Sequence, residues 1–232
     1  MALQDDLRAR AKAIFDATFT ERQGRKVPGP SEVAQGNVAV QLDPGTILYA
    51  DLTGSTALVD GYKWWFAAQV YKTYLYCCAR IVNDEGGWIT SYDGDRIMGI
   101  FIGNDQCDQA IRAALKINWA VHNVVNPART AKHPSNVYTV SQVVGIDKGT
   151  IWAVNAGARG DNDIVWVGPA ANYAAKLTER KGKPTWITKA VYDGASDKGK
   201  IGGTEKKNMW TSDTWPEREN ATIYGSGWTW TV

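Results

Sequence analysis

The chain has 232 residues, 44% of them hydrophobic and 22% charged, with a net charge of +2. That balance suits one domain with an added element and a real buried core, and the charge argues neither for nor against nucleic acid. Three cysteines, the adjacent Cys77 and Cys78 with Cys107 apart, make a poor disulfide framework and fit a reduced cytoplasmic setting, and no run approaches the ~18 apolar residues of a membrane span.

In chain order, Leu3, Leu7, Ile14 and Phe15 fall near helical spacing and predict an amphipathic helix over 3–20, with no signal-peptide apolar region. The polar, Gly- and Pro-rich run 22–36 reads as a connector, which makes the helix an accessory element. GTILYADL predicts a short buried strand over 46–52, followed by the loop TGST. Over 56–83, Leu58, Trp65, Tyr71, Leu75, Cys78 and Val82 lie near one stripe and predict a helix. Trp64-Trp65-Phe66 is the densest aromatic cluster in a chain with eleven Trp. It is expected in the core, with a subunit interface as the second reading.

WITSYDGDRIMGIF predicts a hairpin turning at Asp93-Gly94. Residues 105–125 predict the next helix, ending near Asn126-Pro127, with a loop over 130–136. VYTVSQVVGIDKGTIWAVNAG predicts a second strand pair that bends near Lys148-Gly149. VGPAANYAAKLTERKGK predicts a helix entered through Gly168-Pro169. PTWITKAVYDGAS gives a strand and a short helix, and the tail after 200 ends in a strand. This order points to a mixed sheet with helices packed on it, an α+β layer fold. His122 and His133 read as surface residues.

Asp51 ends a buried apolar strand and Asp95 follows a tight turn, so each carboxylate needs a partner. No Lys or Arg recurs beside both. Two such acids can share a Mg²⁺ or Mn²⁺, which takes oxygen ligands and needs no His or Cys. The loop after Asp51 offers backbone N–H groups, Gly54 for close approach and hydroxyls at Thr53, Ser55 and Thr56, and it runs into a helix N-terminus suited to phosphate. The plainer alternative makes Asp51 a helix-cap or turn residue.

ILYADLTGST resembles the first metal-binding segment of the class III adenylate and guanylate cyclases, and YDGDRIMGIF their second. VVGIDKGTIWAV resembles the strand and turn that follow, and VGPAANYAAKL the third segment. The resemblance covers about residues 45–190 in matching order, and three segments together are specific where one is not. It implies a ferredoxin-like cyclase catalytic domain over 36–232, mainly antiparallel, after an N-terminal helix and linker over 1–35. It further implies two metals held by Asp51, Asp95 and Leu52, with Thr53, Gly54, Ser55 and Thr56 at the phosphates. Asn172 would position the ribose, and Lys176 would stand where the family usually has Arg, keeping charge but losing the planar fork. Both would come from the partner chain of a head-to-tail homodimer. The family's lysine for the β- and γ-phosphates has Lys181, Lys183, Lys206 and Lys207 as candidates.

The base-reading positions depart from the purine cyclases: counting along the motifs gives Ser91 and Val165, neither charged. Tyr49, two before Asp51, shares its strand face, and Arg96 follows Asp95. These features resemble the pyrimidine cyclases of the bacterial Pycsar antiphage system. An Arg suits the O4 acceptor of uracil, whereas the amino group of cytosine needs an acceptor such as Asp93. The expected activity is therefore conversion of UTP to cyclic UMP in antiphage defence, in the cytoplasm, with a separate cyclic-nucleotide-sensing effector and no direct nucleic-acid or membrane partner. A cytidylate cyclase, an atypical purine cyclase and a catalytically silent nucleotide-binding dimerisation module remain as alternatives.

Overall fold

The computed structural model describes residues 2–158 and 161–232. Helix α1 (Leu3–Asp16) buries none of its residues and is tied down by Asn37, whose amide donates to the carbonyls of Ile14 and Ala17. It stops short of the predicted end because Ala17 is extended and Thr20–Gln23 forms β1, parallel to the start of β2. The connector is also more than a link, since Val27 and Val33 are buried.

Strand β2 (Val38–Leu52) begins well before the predicted 46. Its first half is masked in the sequence by Asp43-Pro44, because proline cannot donate to a ladder. The sheet absorbs this as a bulge, the pairing with β5 stepping from Leu42–Ile151 to Gly45–Gly149. The same bulge corrects the bend expected at Lys148-Gly149. Strand β5 (Gln142–Ala158) runs straight through that point, and its hairpin partner is β6 (Asp161–Val167).

The predicted helix over 56–83 is broken at Tyr62-Lys63 into α2 (Ser55–Gly61) and α3 (Trp64–Asp84). The buried stripe of α3 runs through Ala67, Val70, Tyr74, Cys78, Ile81 and Val82; the predicted Leu58, Cys78 and Val82 are buried, whereas Trp65, Tyr71 and Leu75 fall to one side of the stripe. Phe66 is core, but Trp64 and Trp65 are 79% and 44% exposed, against the core expectation for that cluster. The hairpin is β3 (Trp88–Asp93) and β4 (Arg96–Phe101).

Helix α4 (Gln106–Ala120) passes through a π-helical turn, Val121–Val125, into α5 (Asn126–Lys132). Asn126-Pro127 therefore does not end the helix, and half of the predicted 130–136 loop is helical. Pro127 sits in the first turn of α5, where a missing N–H is harmless. The Asn126 amide donates to the carbonyls of Val121 and Val140 and its oxygen accepts the Val140 N–H, fixing the chain's return.

Then follow α6 (Pro169–Leu177), β7 (Thr185–Thr188), α7 (Lys189–Gly194), α8 (Asp197–Lys200), the small hairpin β8 (Ile201–Gly202) and β9 (Lys207–Asn208), β10 (Thr211–Trp215) and β11 (Ala221–Ser226). The last six residues are not a strand. They are tied to α4, with Asn118 donating to the Trp228 carbonyl and the Trp230 N–H to that of Leu115.

The main sheet has the order β10-β11-β7-β5-β2-β4-β3, with β1 beside β2 and β6 beside β5. Strand alternation divides its side chains. Leu48, Ala50, Ile97, Phe101, Val144 and Ile146 meet α3 and α4 on one face. Ile47, Met98, Ile100 and Ile151 meet Ala170, Ala171 and Ala174 of α6 on the other. Helix α6 lies flush because β5 offers Gly145 beneath it: a Cβ there would stand 2.2 Å from the Ala174 carbonyl oxygen. Gly145→Ala therefore forces α6 off the sheet. It should lower stability by about 3 kcal/mol, at or above the usual cost of overpacking, measured by denaturant unfolding. An unfolding midpoint equal to the parent's would overturn this packing account.

Candidate active site

Two elements bring the acids together. Tyr49 pairs with Met98 and Ala50 with Ile97 across β2 and β4, so the next rung sets Asp51 opposite Arg96. Tyr49, Asp51, Met98 and Arg96 thus share the face that carries α6. Pairing of β3 with β4 closes at Asp93–Arg96, leaving Gly94 and Asp95 as a two-residue turn. Gly94 has φ +60°, which fits the glycine-first hairpin turn. Asp95 is therefore in the turn itself, one step earlier than its predicted place at the start of the strand.

The charges around this pair are unevenly matched. Burial raises the Asp51 carboxyl, and the charge of Asp95 raises it further; Arg96 and the Leu52 N–H oppose the shift. Asp95 Oδ2 is buried and accepts no hydrogen bond among the described residues. Arg96 donates to Asp93 at 3.0 Å and lies over the Tyr49 ring at 5.5 Å, while its Nε is buried without a partner. Arg96 thus engages both Asp93 and Tyr49. Asp93 is highly exposed, so the ion pair itself adds little stability.

Three tyrosines absent from the sequence-based set lie within electrostatic reach of Asp95. Burial chiefly raises the hydroxyls of Tyr71, Tyr74 and Tyr138, and the charge of Asp95 contributes to each. The Tyr74 and Tyr138 hydroxyls have no partner among the described residues. Tyr71 and Tyr74 look like ordinary helix residues in the sequence, and Tyr138 lies in a loop; no local pattern marks any of them.

These groups fit a hard divalent cation. A shared cation relieves two like charges and supplies the missing partner of Oδ2. Among the described residues no group of three His, Cys, Asp or Glu side chains gathers anywhere, so a cation here would rest on two carboxylates and backbone oxygen. The Leu52 side chain is buried in the α3–α4 core, which leaves its backbone as the part able to contribute.

The phosphate loop is narrower than expected. The Thr53 N–H is spent on the Ser141 carbonyl at 2.9 Å. Gly54 is left-handed at φ +74° and caps α2 without a side-chain bond, so the first-turn N–H groups of α2, from Ser55 and Thr56 on, lack intrahelical partners.

Asn172 and Lys176 lie one turn apart on α6, both exposed, because Ala170, Ala171, Ala174 and Leu177 take the sheet side. No hydrogen bond or ion pair joins either to Asp51 or Asp95 among the described residues. Lys176 instead borders a cleft with Arg180 and Lys181. Lys206 and Lys207 stand apart at the β8–β9 hairpin, where Lys207 pairs with Glu205. Ser91 is opposite Met98 and so in the same row as Tyr49. Val165 is opposite Val154 and 49% exposed, with β5, β2 and β4 between it and Ser91. Within one chain it does not join the others.

No protein-family model matches the chain. A uridylate cyclase of Xanthomonas perforans is 48% identical over 233 residues, covering all of both chains. A uridylate cyclase of Burkholderia cepacia is 45% identical over 233 residues, again covering both completely. Among solved structures, the adenylyl cyclase CyaB of P. aeruginosa superposes with a TM-score of 0.69 at 18% identity, over 81% of this chain and 95% of that one. The fold is shared with that domain. No helix is long and apolar enough to cross a membrane among the described residues.

Asp95→Asn keeps the shape of the site and removes one of its two like charges. In chelator at neutral pH this variant should melt at or above the parent temperature, read by calorimetry. A clear drop would show that the acids do not strain each other.

Proposed function

We propose that this chain, which belongs to the uridylate cyclase family, converts UTP to 3′,5′-cyclic UMP and pyrophosphate. The observation that carries the reading is the Asp51–Asp95 pair, with its unpartnered buried oxygen, in a chain matching relatives of that name from end to end. Asp51, Asp95 and the Leu52 backbone would hold divalent metal, Mn²⁺ or Mg²⁺, two per site. Such metal, when bound, acidifies the ribose 3′-hydroxyl and offsets triphosphate charge.

The chain's own groups do the positioning. Gly54, Ser55 and Thr56 present N–H groups and hydroxyls to the phosphates, with the hydroxyl of Thr53 beside them. The ribose 3′-oxygen bonds to the α-phosphorus as the bond to pyrophosphate breaks. Asn172 would orient the ribose and Lys176 would face the α-phosphate. The lack of any bond from either to the acids of their own chain, among the described residues, supports supply by the partner of a homodimer, with Lys181, beside Lys176 in the same cleft, as the companion cation for the departing phosphates. Tyr49 narrows the base pocket, Ser91 flanks it, and Arg96 meets uracil O4 through a donor not spent on Asp93. Asp93 beside Arg96 favours one second reading, CTP, whose amino group it could accept. Cyclic UMP would act as a messenger in antiphage defence, through a separate effector.

Mass spectrometry of products from equimolar ATP, GTP, CTP and UTP with Mn²⁺ tests the substrate. Cyclic UMP should dominate; faster turnover of a purine triphosphate would overturn the base assignment. Asp51→Ala should lose at least about 10³-fold in turnover. Mixing inactive Asp51→Ala with inactive Asn172→Ala chains should restore about a quarter of parental activity, because a mixed two-fold dimer regains one intact site. No recovery after subunit exchange would exclude shared sites.

A further inference from the structure

A second pocket of about 160 Å³ opens between α3 and α5, at the end of the π-helical turn, and uses none of the residues assigned above. Phe66, Val70 and Val125 form a buried apolar floor. Arg129, Lys132 and His133 form the rim, and no carboxylate lines it. One Arg129 nitrogen donates to the Asn136 carbonyl at 2.6 Å, while its Nε is buried with no partner. The His133 ring is held by Gln69 at 2.8 Å and packs against Trp65 and Phe66 at 5.7 and 5.2 Å.

An apolar floor under a cationic rim selects an anion with an apolar body. The volume sets its size, since a cavity of about 150 Å³ accommodates one benzene ring. The Arg129 guanidinium and the Lys132 ammonium at the rim supply positive charge, and a carboxylate takes charge-assisted hydrogen bonds from such groups. π-Helical turns also concentrate at functional sites.

The floor touches the candidate active site at second hand. Phe66 packs on Tyr138 at 6.0 Å, and Asn136, held by Arg129, accepts the Tyr138 N–H at 2.8 Å. Three residues beyond Tyr138, the Ser141 carbonyl accepts the Thr53 N–H of the loop that follows Asp51 at 2.9 Å, and the charge of Asp95 bears on the buried Tyr138 hydroxyl. We propose that this pocket binds a small aromatic carboxylate and that its filling is transmitted through Phe66 and Asn136 to Tyr138. The binding half is independent of the cyclase reading; the transmission half rests on it.

Benzoate is the probe, with benzyl alcohol as its neutral counterpart. Calorimetric titration of the full chain should show saturable benzoate binding, with a dissociation constant on the order of 1 mM, and weaker binding of the alcohol. Lys132→Glu should weaken benzoate roughly tenfold. Ala128→Phe, at an exposed lining position, should fill the pocket and abolish binding with an unchanged melting temperature. Saturating benzoate should change turnover in the parent and not in Ala128→Phe. Absence of saturable binding, equal binding of the alcohol, or binding that survives Ala128→Phe overturns the site. Turnover unmoved by saturating benzoate overturns the transmission. A chain that binds benzoate but turns over no nucleotide separates this site from a failure of the cyclase reading.

Discussion

Asp51 and Asp95 are held near each other without, among the described residues, a basic side chain that neutralises both, and the charge of Asp95 adds to burial in making Asp51 harder to ionise. Their placement follows from the register of β2 against β4. Because side chains alternate, a slip of one residue would send Asp51 to the opposite face. Two cores oppose that slip from both sides. Leu48, Ala50, Ile97 and Phe101 are committed to α3 and α4, while Ile47, Met98 and Ile100 are committed to the α6 side. The apolar rungs thereby fix polar residues that contribute no apolar burial of their own. The two-residue turn at Gly94-Asp95 then sets how far Asp95 stands from Asp51.

The two faces of the sheet serve different ends. Long helices on one side supply most of the apolar burial. The other side carries α6 alone at its centre, seated on glycine and alanine. Small residues bring that helix close, and close seating fixes the height of Asn172 and Lys176 above the sheet. They are rigidly presented and yet unengaged within their own chain. A side chain so placed is arranged for something outside the chain, which is why a two-fold dimer is the economical reading.

Alternation and turn chemistry made the second half of the central strand, the β3–β4 hairpin and the two acids Asp51 and Asp95 legible in the sequence, since each is a local signal. Features decided by a neighbouring strand or helix were not legible. Asp43-Pro44 looks like a strand breaker until β5 is seen running past it with one residue fewer. Gly149 looks like a bend, yet the kink is in the strand opposite. Trp65 satisfies the hydrophobic spacing of α3 but falls outside the buried stripe, because period alone cannot choose between adjacent stripes of an aromatic-rich helix. The site divides in the same way. Asp51, Asp95, Tyr49 and Arg96 come from adjacent rungs and are read together. Tyr71, Tyr74 and Tyr138 come within electrostatic range of Asp95 from a helix and a distant loop, so only tertiary structure brings them in.

Base choice can then be weighed from what the pocket lacks. Ser91 carries no charge and shares a row with Tyr49, and Val165 is off the row altogether. Discrimination on the proposed reading therefore falls to Arg96, which is already partly used. Its bond to Asp93 spends one nitrogen, and its guanidinium lies 5.5 Å from the Tyr49 ring centroid. A guanidinium is a directional donor, and its buried Nε has no acceptor among the described residues. An acceptor on the ligand would satisfy that group, whereas an amino group in the same place would leave two donors facing each other. Sites of this kind discriminate strongly, because the wrong ligand leaves a buried donor unpaired. The same geometry shows where cytosine could enter: the Asp93 carboxylate is the nearest acceptor, but it is largely exposed, and water competes for it. The balance of one buried donor against one solvated acceptor favours uracil.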